Sequence, residues 1–148
     1  MGGALKNIIA IACGVVDGLG IGLNARAGVM TRGLAEISRL AVARGANPLT
    51  LAGLSGMGDL VLTCTGDLSR NRRVGLGLGH GKKLSEILME LGQVAEGVIT
   101  TETARELAQK EKIEIPLIEE VYQLLYKEKS AKEALRDILG RERRAERG

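Results

Sequence analysis

Lys6 and Asn7 stand side by side at the start of the most apolar stretch of the chain. A charged amine in apolar surroundings costs free energy unless it is paired or faces a polar cleft. Two interpretations are open. In one, the amine of Lys6 reaches solvent from a helix end; in the other, it is desolvated and exchanges a proton with a ligand near neutral pH. The second interpretation would make Lys6 a catalytic residue.

Hydrogen-bond donors gather in a second segment, Ser69 to Arg73, which reads SRNRR. Serine is a common N-cap, so we predict that Ser69 caps a helix that begins at Arg70. Free backbone N–H groups at a helix start, together with guanidinium groups, bind anions such as phosphate. An exposed basic helix end explains the same segment about equally well, and both interpretations are kept.

Asp59 and Thr63 are four residues apart, which would place a carboxylate and a hydroxyl on one face of a helix. A carboxylate near a helix start is also favoured by the helix dipole alone, so the pair does not establish a site. Asp59 beside Lys6 would favour the protonated amine, whereas burial would favour the neutral one. The sequence leaves that balance open.

Several familiar motifs are excluded. The glycine-rich stretches 18–22 and 75–81 do not fit G-x-G-x-x-G and follow no predicted strand, and the glycines before Lys82 lack the pattern of a P-loop. His80 is the only histidine, so a histidine metal site and a Ser-His-Asp triad have little to build on, and we expect no metal.

Composition and charge favour one helical domain that is not a nucleic-acid binder. The chain has 148 residues, a net charge of +3 and 1% aromatic residues, and its basic C-terminal end is typical of a solvated helix end. The apolar run 8–16 is too short to span a membrane, so we expect a cytoplasmic protein without membrane insertion. Cys13 and Cys64 are predicted to be buried free thiols, with a disulfide between them left open.

Helical periodicity dominates, and no segment alternates as a half-buried strand would. The predicted fold class is therefore all-α. We predict helices over 4–16, 24–44, 48–54, a short one within 55–65, and then from residue 70, over 84–91, 98–112, 116–127 and 131–141, the last with a capping box from Ser130 to Glu133.

Five segments, taken in order, resemble the bacterial NAD(P)-dependent glycerol-3-phosphate dehydrogenases, and the resemblance covers essentially the whole chain. Gly2–Asn7 (GGALKN) is similar to that family's catalytic-lysine motif. The others are Gly22–Gly28 (GLNARAG), Leu54–Leu60 (LSGMGDL), Ser69–Val74 (SRNRRV) and Gln93–Gly97 (QVAEG). The family's helical part implies a multi-helix bundle of the 6-phosphogluconate dehydrogenase C-terminal-like type, here a single domain over 1–148.

The resemblance implies the interconversion of sn-glycerol 3-phosphate and dihydroxyacetone phosphate with NAD or NADP, for glycerophospholipid synthesis. It implies that Lys6 is the catalytic residue and that two copies pair through helical faces. The implied substrate-binding residues are Lys6, Asn7, Asp59, Thr63, Ser69, Arg70 and Asn71, and the implied cofactor-binding residues are Arg70, Val94 and Glu96.

The family's N-terminal nucleotide-binding Rossmann domain has no counterpart in 1–148. We therefore expect this chain alone to be inactive, and we expect most of the cofactor to be bound by that other domain, which would also set the choice between NAD and NADP. Two alternatives are kept: the helical domain of another phosphorylated-polyol or hydroxy-acid dehydrogenase, and a non-catalytic helical dimerisation module.

Overall fold

The computed structural model describes residues 2–45 and 66–147, and every regular element in those two ranges is a helix. The prediction of an all-α fold is confirmed. In chain order the helices are α1 (Gly2–Leu19), α2 (Leu23–Ala43), α3 (Gly66–Gly79), α4 (Leu84–Leu91), α5 (Glu96–Glu111), α6 (Pro116–Tyr126) and α7 (Ala131–Arg147).

Some predicted helix boundaries are confirmed and others are wrong. Helix α4 has the predicted bounds, and Ser130 Oγ accepts the N–H of Glu133 at 3.2 Å, as half of a capping box does. Helix α2 begins at Leu23, one residue before the predicted start, and the positive φ of 99° at Gly22 turns the chain just before it. The helices predicted over 48–54 and within 55–65 lie outside the described residues.

Helix α1 is the centre of the core. Its apolar residues from Leu5 to Val16 are 7% exposed or less, on nearly every side of the helix. Such a helix must be surrounded, and α2, α3, α5, α6 and α7 all pack against it. In the described part of the chain, no helix combines the length and the apolar character needed to cross a membrane.

Helices α1 and α3 lie backbone against backbone, because glycines meet where they cross. A Cβ added to Gly14 would lie 2.1 Å from Arg72 O, and one added to Gly75 would lie 2.0 Å from Ile11 O. One turn further on, Gly18 and Gly79 face each other in the same way. From the first contact to the second, the residue numbers rise by four in both helices. The two helices therefore run parallel, and their N-terminal ends lie at the same end of the bundle.

Helix α6 receives its cap from α2. The residue before α6, Ile115, offers no side-chain acceptor, and the fully buried carboxylate of Glu36 takes that place. Glu36 Oε2 accepts the N–H of Leu117 at 2.8 Å and Oε1 accepts that of Ile118 at 3.0 Å. These bonds satisfy two of the first-turn donors that a helix leaves unpaired, and they fix α2 against α6.

Candidate functional site

Lys6 and Asn7 lie in the second turn of α1, with different surroundings. Lys6 is partly exposed in the described chain. Asn7 is 4% exposed. A buried amide needs hydrogen-bond partners, which makes Asn7 a strongly constrained polar group at this end of the helix.

The prediction that Ser69 caps a helix starting at Arg70 is wrong, because α3 begins at Gly66. Ser69 therefore lies inside the described helix, three residues after Gly66, and Arg70 and Asn71 follow it. The first-turn N–H groups that a helix leaves unpaired belong to residues up to 68. At Ser69 to Asn71 an anion would thus be bound mainly by side chains, and Ser69 and Arg70 are both partly exposed.

Asn71 joins the start of α3 to the start of α5. Its side chain is wholly buried, and its Oδ1 accepts the backbone N–H of Gly97 at 2.8 Å. Ala95, the residue before α5, has no side chain that could do this, so Asn71 caps α5 from another helix. This contact settles which side of the amide carries the oxygen, since only the oxygen accepts.

Val94 and Glu96 stand on either side of the residue that precedes α5. Val94 is 67% exposed, and Glu96, the first residue of α5, is also exposed. A carboxylate in the first turn is favoured by the helix dipole. The pair offers an apolar surface and a hydrogen-bond acceptor to anything that lies against this end of the bundle.

The described parts of the predicted site lie at one end of the molecule. Because Gly14 of α1 meets Gly75 of α3, Lys6 lies level with residue 67 of α3. At a rise of 1.5 Å per residue, Ser69 to Asn71 are then roughly 3–6 Å further along the helix axis than Lys6. Asn71 in turn contacts the start of α5. Opposite ends for Lys6 and Ser69–Asn71 would have contradicted a shared site, and the parallel packing brings them to the same end.

An ion pair that no local sequence pattern predicts connects α3 to α1 and α2. Arg72 Nη2 donates to Asp17 Oδ2 at 3.0 Å, and Arg26 Nε lies 3.6 Å from the same oxygen. Asp17 thereby links α1, α2 and α3. Only the position of Arg26 inside the GLNARAG segment could have suggested that this residue has a special role.

Cys13 lies beside this ion pair as a buried free thiol, as predicted. Burial raises the pKa of the Cys13 thiol to about 11, against the opposing effect of Arg26. The thiolate, which is the nucleophile, is then scarce at neutral pH. Cys13 is thus a packing residue, and Cys64, Asp59 and Thr63 lie outside the described residues.

The chain is similar to known proteins over nearly its whole length. The family model described as NAD-dependent glycerol-3-phosphate dehydrogenase C-terminus matches residues 1–136. A glycerol-3-phosphate dehydrogenase [NAD(P)+] of Citrifermentans bemidjiense is 62% identical over 146 residues, which are 99% of this chain and 44% of that protein. The Myxococcus xanthus protein of the same name is 60% identical over 145 residues, 98% of this chain and 43% of its own length.

Two solved structures of glycerol-3-phosphate dehydrogenases are also similar to this chain. The glycerol-3-phosphate dehydrogenase of Coxiella burnetii superposes with a TM-score of 0.85 at 47% identity, over 93% of this chain and 42% of that one. The Saccharomyces cerevisiae enzyme gives a TM-score of 0.78 at 34% identity, over 90% and 40%. This chain spans less than half the length of these relatives. With the helical fold, the parallel α1–α3 pair and the matched sequence together, the chain belongs to the family of NAD-dependent glycerol-3-phosphate dehydrogenase C-terminal domains.

Proposed function

We propose that this chain is the substrate-binding and proton-transferring part of an NAD(P)-dependent dehydrogenase that interconverts sn-glycerol 3-phosphate and dihydroxyacetone phosphate. The observation that carries the proposal is the meeting of three helix starts at one end of the bundle. Lys6 lies on α1, Ser69 to Asn71 lie on α3, and Val94 and Glu96 lie at the start of α5. Amine, phosphate-binding donors and a cofactor-facing surface are what this reaction needs near one another.

Lys6 exchanges the proton of the substrate's C2 hydroxyl. In the oxidation direction the neutral amine accepts that proton as the C2 hydrogen leaves with its electron pair; in the reduction direction the ammonium returns the proton to the carbonyl oxygen. Partial exposure suits this role, because the amine must exchange protons with solvent between turnovers. Asn7, beside it, donates to a substrate oxygen, and Asp59 and Thr63 are proposed to orient the same oxygens.

The phosphate is bound by side chains of the first two turns of α3. A phosphate is a dianion with three acceptor oxygens, and the guanidinium of Arg70 can bind two of them at once. The hydroxyl of Ser69 adds a second partly exposed donor. The NH2 group of Asn71, whose side chain is buried in the described chain, is proposed to reach the anion through a small movement.

The residues at the start of α5 fit a nicotinamide cofactor. An exposed branched side chain, Val94, suits the flat face of a ring, while the carboxylate of Glu96 can accept hydrogen bonds from hydroxyl or amide groups. Arg70 adds a cation beside them. When bound, the nicotinamide supplies the hydride acceptor or donor, and this chain's residues contribute only part of its site.

Calorimetry with glycerol 3-phosphate tests the proposal on the 148-residue chain. We expect saturable binding that Arg70→Ala weakens by about tenfold or more, since a hydrogen bond to a charged group contributes about 1.5–3 kcal/mol. Arg105→Ala is the matched control, because Arg105 is paired with Glu119 between α5 and α6.

Glycerol should bind much more weakly than glycerol 3-phosphate if the phosphate is recognised. Equal affinity for the two ligands would indicate a dehydrogenase domain for an unphosphorylated hydroxy compound. No binding of either ligand would favour the non-catalytic dimerisation module.

A further inference from the structure

Gly97 is the point where the three helices of the proposed site touch. Its backbone N–H donates to Asn71 Oδ1 on α3 at 2.8 Å. A Cβ at position 97 would lie 2.4 Å from that oxygen and 2.9 Å from Ile11 Cδ1 on α1. Real Cβ atoms do not approach other atoms so closely, so a larger residue at position 97 would have to displace the side chain of Asn71, that of Ile11, or both.

We infer that Gly97 is a positioning residue, which acts through Asn71 to hold the phosphate-binding turn of α3 and the cofactor-facing start of α5 as one unit. This inference rests on the proposed function. Gly97 itself offers no side chain to a ligand. Gly97 would affect the reaction by fixing the distance between Arg70 and Glu96. Arg70 precedes Asn71 by one residue, and Glu96 precedes Gly97 by one residue.

The contact between Asn71 and Gly97 can transmit a movement of α3 to the start of α5. Asn71 is 0% exposed and Thr101, one turn along α5, is also 0% exposed, with its Oγ1 donating to Gly97 O at 2.6 Å. Gly97 is therefore hydrogen-bonded on both its N–H and its carbonyl side. Because buried polar groups are costly to leave unpaired, a movement of Asn71 toward a bound anion must carry the start of α5 with it.

An NMR titration of the 148-residue chain with glycerol 3-phosphate tests this inference. We expect the backbone amide resonance of Gly97 to shift with the same saturation as those of Ser69 and Arg70. The amide of Ile118 is the internal control, because it is also buried and bonded to a side-chain acceptor, Glu36, but belongs to α6. Its resonance should stay in place.

Two glycine substitutions separate positioning from stability. Gly97→Ala should weaken glycerol 3-phosphate binding about fivefold or more, a usual size for coupling between sites. Gly77→Ala is the matched control, since its Cβ would lie 2.6 Å from atoms of the Ile87 side chain, on the contact between α3 and α4. It stresses the same helix and should change binding by less than about twofold.

The outcomes are distinguishable. Binding with an unmoved Gly97 resonance, or wild-type affinity in Gly97→Ala, overturns the inference and leaves the proposed function standing. No binding to the wild-type chain overturns both. If Gly97→Ala does not fold, the wild-type titration alone decides, since it needs no substitution.

Discussion

Asn71 and Glu36 meet the same physical requirement in different helices. Each carries a buried side-chain oxygen that accepts N–H groups at the start of another helix, α5 for Asn71 and α6 for Glu36. Neither α5 nor α6 has a side-chain cap of its own. Their starts are thus positioned by residues distant in the sequence, which couples local helix stability to the tertiary arrangement.

The carboxyl group of Glu36 makes stability depend on pH. Burial raises its pKa above the ordinary glutamate value, and the bonds from Ile118 and Leu117 oppose that shift without cancelling it. The folded chain then keeps a proton that the unfolded chain loses above about pH 4.3. The Glu36 contribution to the free energy of unfolding should therefore fall as pH rises from that value through the raised pKa.

Urea unfolding at a series of pH values measures this slope. In Glu36→Gln the side chain no longer titrates, so the fall in stability over this window should be smaller than in the wild type. Glu106→Gln, at an exposed position on α5, should keep the wild-type slope. The same slope in Glu36→Gln and wild type would mean that the Glu36 carboxyl is not the cause.

Lys6 can be tested in a full-length dehydrogenase that carries this domain. Lys6→Ala should lower kcat by roughly 10²–10⁴-fold, the usual contribution of a general acid or base, with a modest change in KM. Lys82→Ala is a suitable control, because Lys82 is paired with Glu90 at the surface between α3 and α4. Wild-type turnover in Lys6→Ala would remove this lysine from the mechanism.

Among the elements, the α1–α3 pair tolerates the least change. Gly14→Ala would place a methyl group 2.1 Å from Arg72 O, a backbone atom that cannot rotate away. The helices would have to separate, at a cost of about 1–3 kcal/mol or more. Gly28→Ala in α2 meets nothing within 4 Å and should stabilise by about 0.5–1 kcal/mol.

Chemical denaturation of the two variants checks this contrast. Equal effects of Gly14→Ala and Gly28→Ala would show that α1 and α3 are not in backbone contact. Because Gly14 lies two turns from Lys6, the loss of register should also weaken glycerol 3-phosphate binding, and Gly28→Ala should not.

The sequence predicts the helix bounds and caps that depend on neighbouring residues. It does not predict those that depend on residues distant in the chain. The bounds of α4 and the Ser130 cap follow from nearby residues, so they could be predicted. The predicted start of α3 at Arg70 is too late, because Ser69 has the residue type of a cap and nothing local shows that the helix already includes Gly66. The caps from Asn71 and Glu36 connect residues 26 or more positions apart, and no sequence periodicity records them.

The predicted site also combines information from short local motifs with an arrangement that depends on distant residues. Lys6, Arg70 and Glu96 are predicted from the order of short motifs, which indicates membership of a family but no distance between residues. Their position at one end depends on the parallel course of α1 and α3, which pack closely through glycines of both helices. Gly75 and Gly79 are helical, which confirms that the stretch is no phosphate loop and explains its composition by close packing.

At the scale of the whole molecule, the described helices share one core, and we propose that they contribute part of the reaction site. The core surrounds α1 and includes residues of every described helix, so we expect the purified chain to unfold in one cooperative transition. The described residues contain no strand on which a dinucleotide-binding fold could be built, and the chain spans 44% of the Citrifermentans bemidjiense relative. Val94 and Glu96 alone would bind a nicotinamide cofactor weakly.

We therefore expect the purified 148-residue chain to fold, to bind glycerol 3-phosphate, and to oxidise no NADH or NADPH in the presence of dihydroxyacetone phosphate. Hydride transfer requires the reacting carbons to be held close together, and misplacement by 1 Å can cost a hundredfold in rate. Circular dichroism during denaturation, calorimetry and absorbance of the reduced cofactor measure the three properties separately. Turnover that disappears in Lys6→Ala would show that this domain alone assembles a complete site.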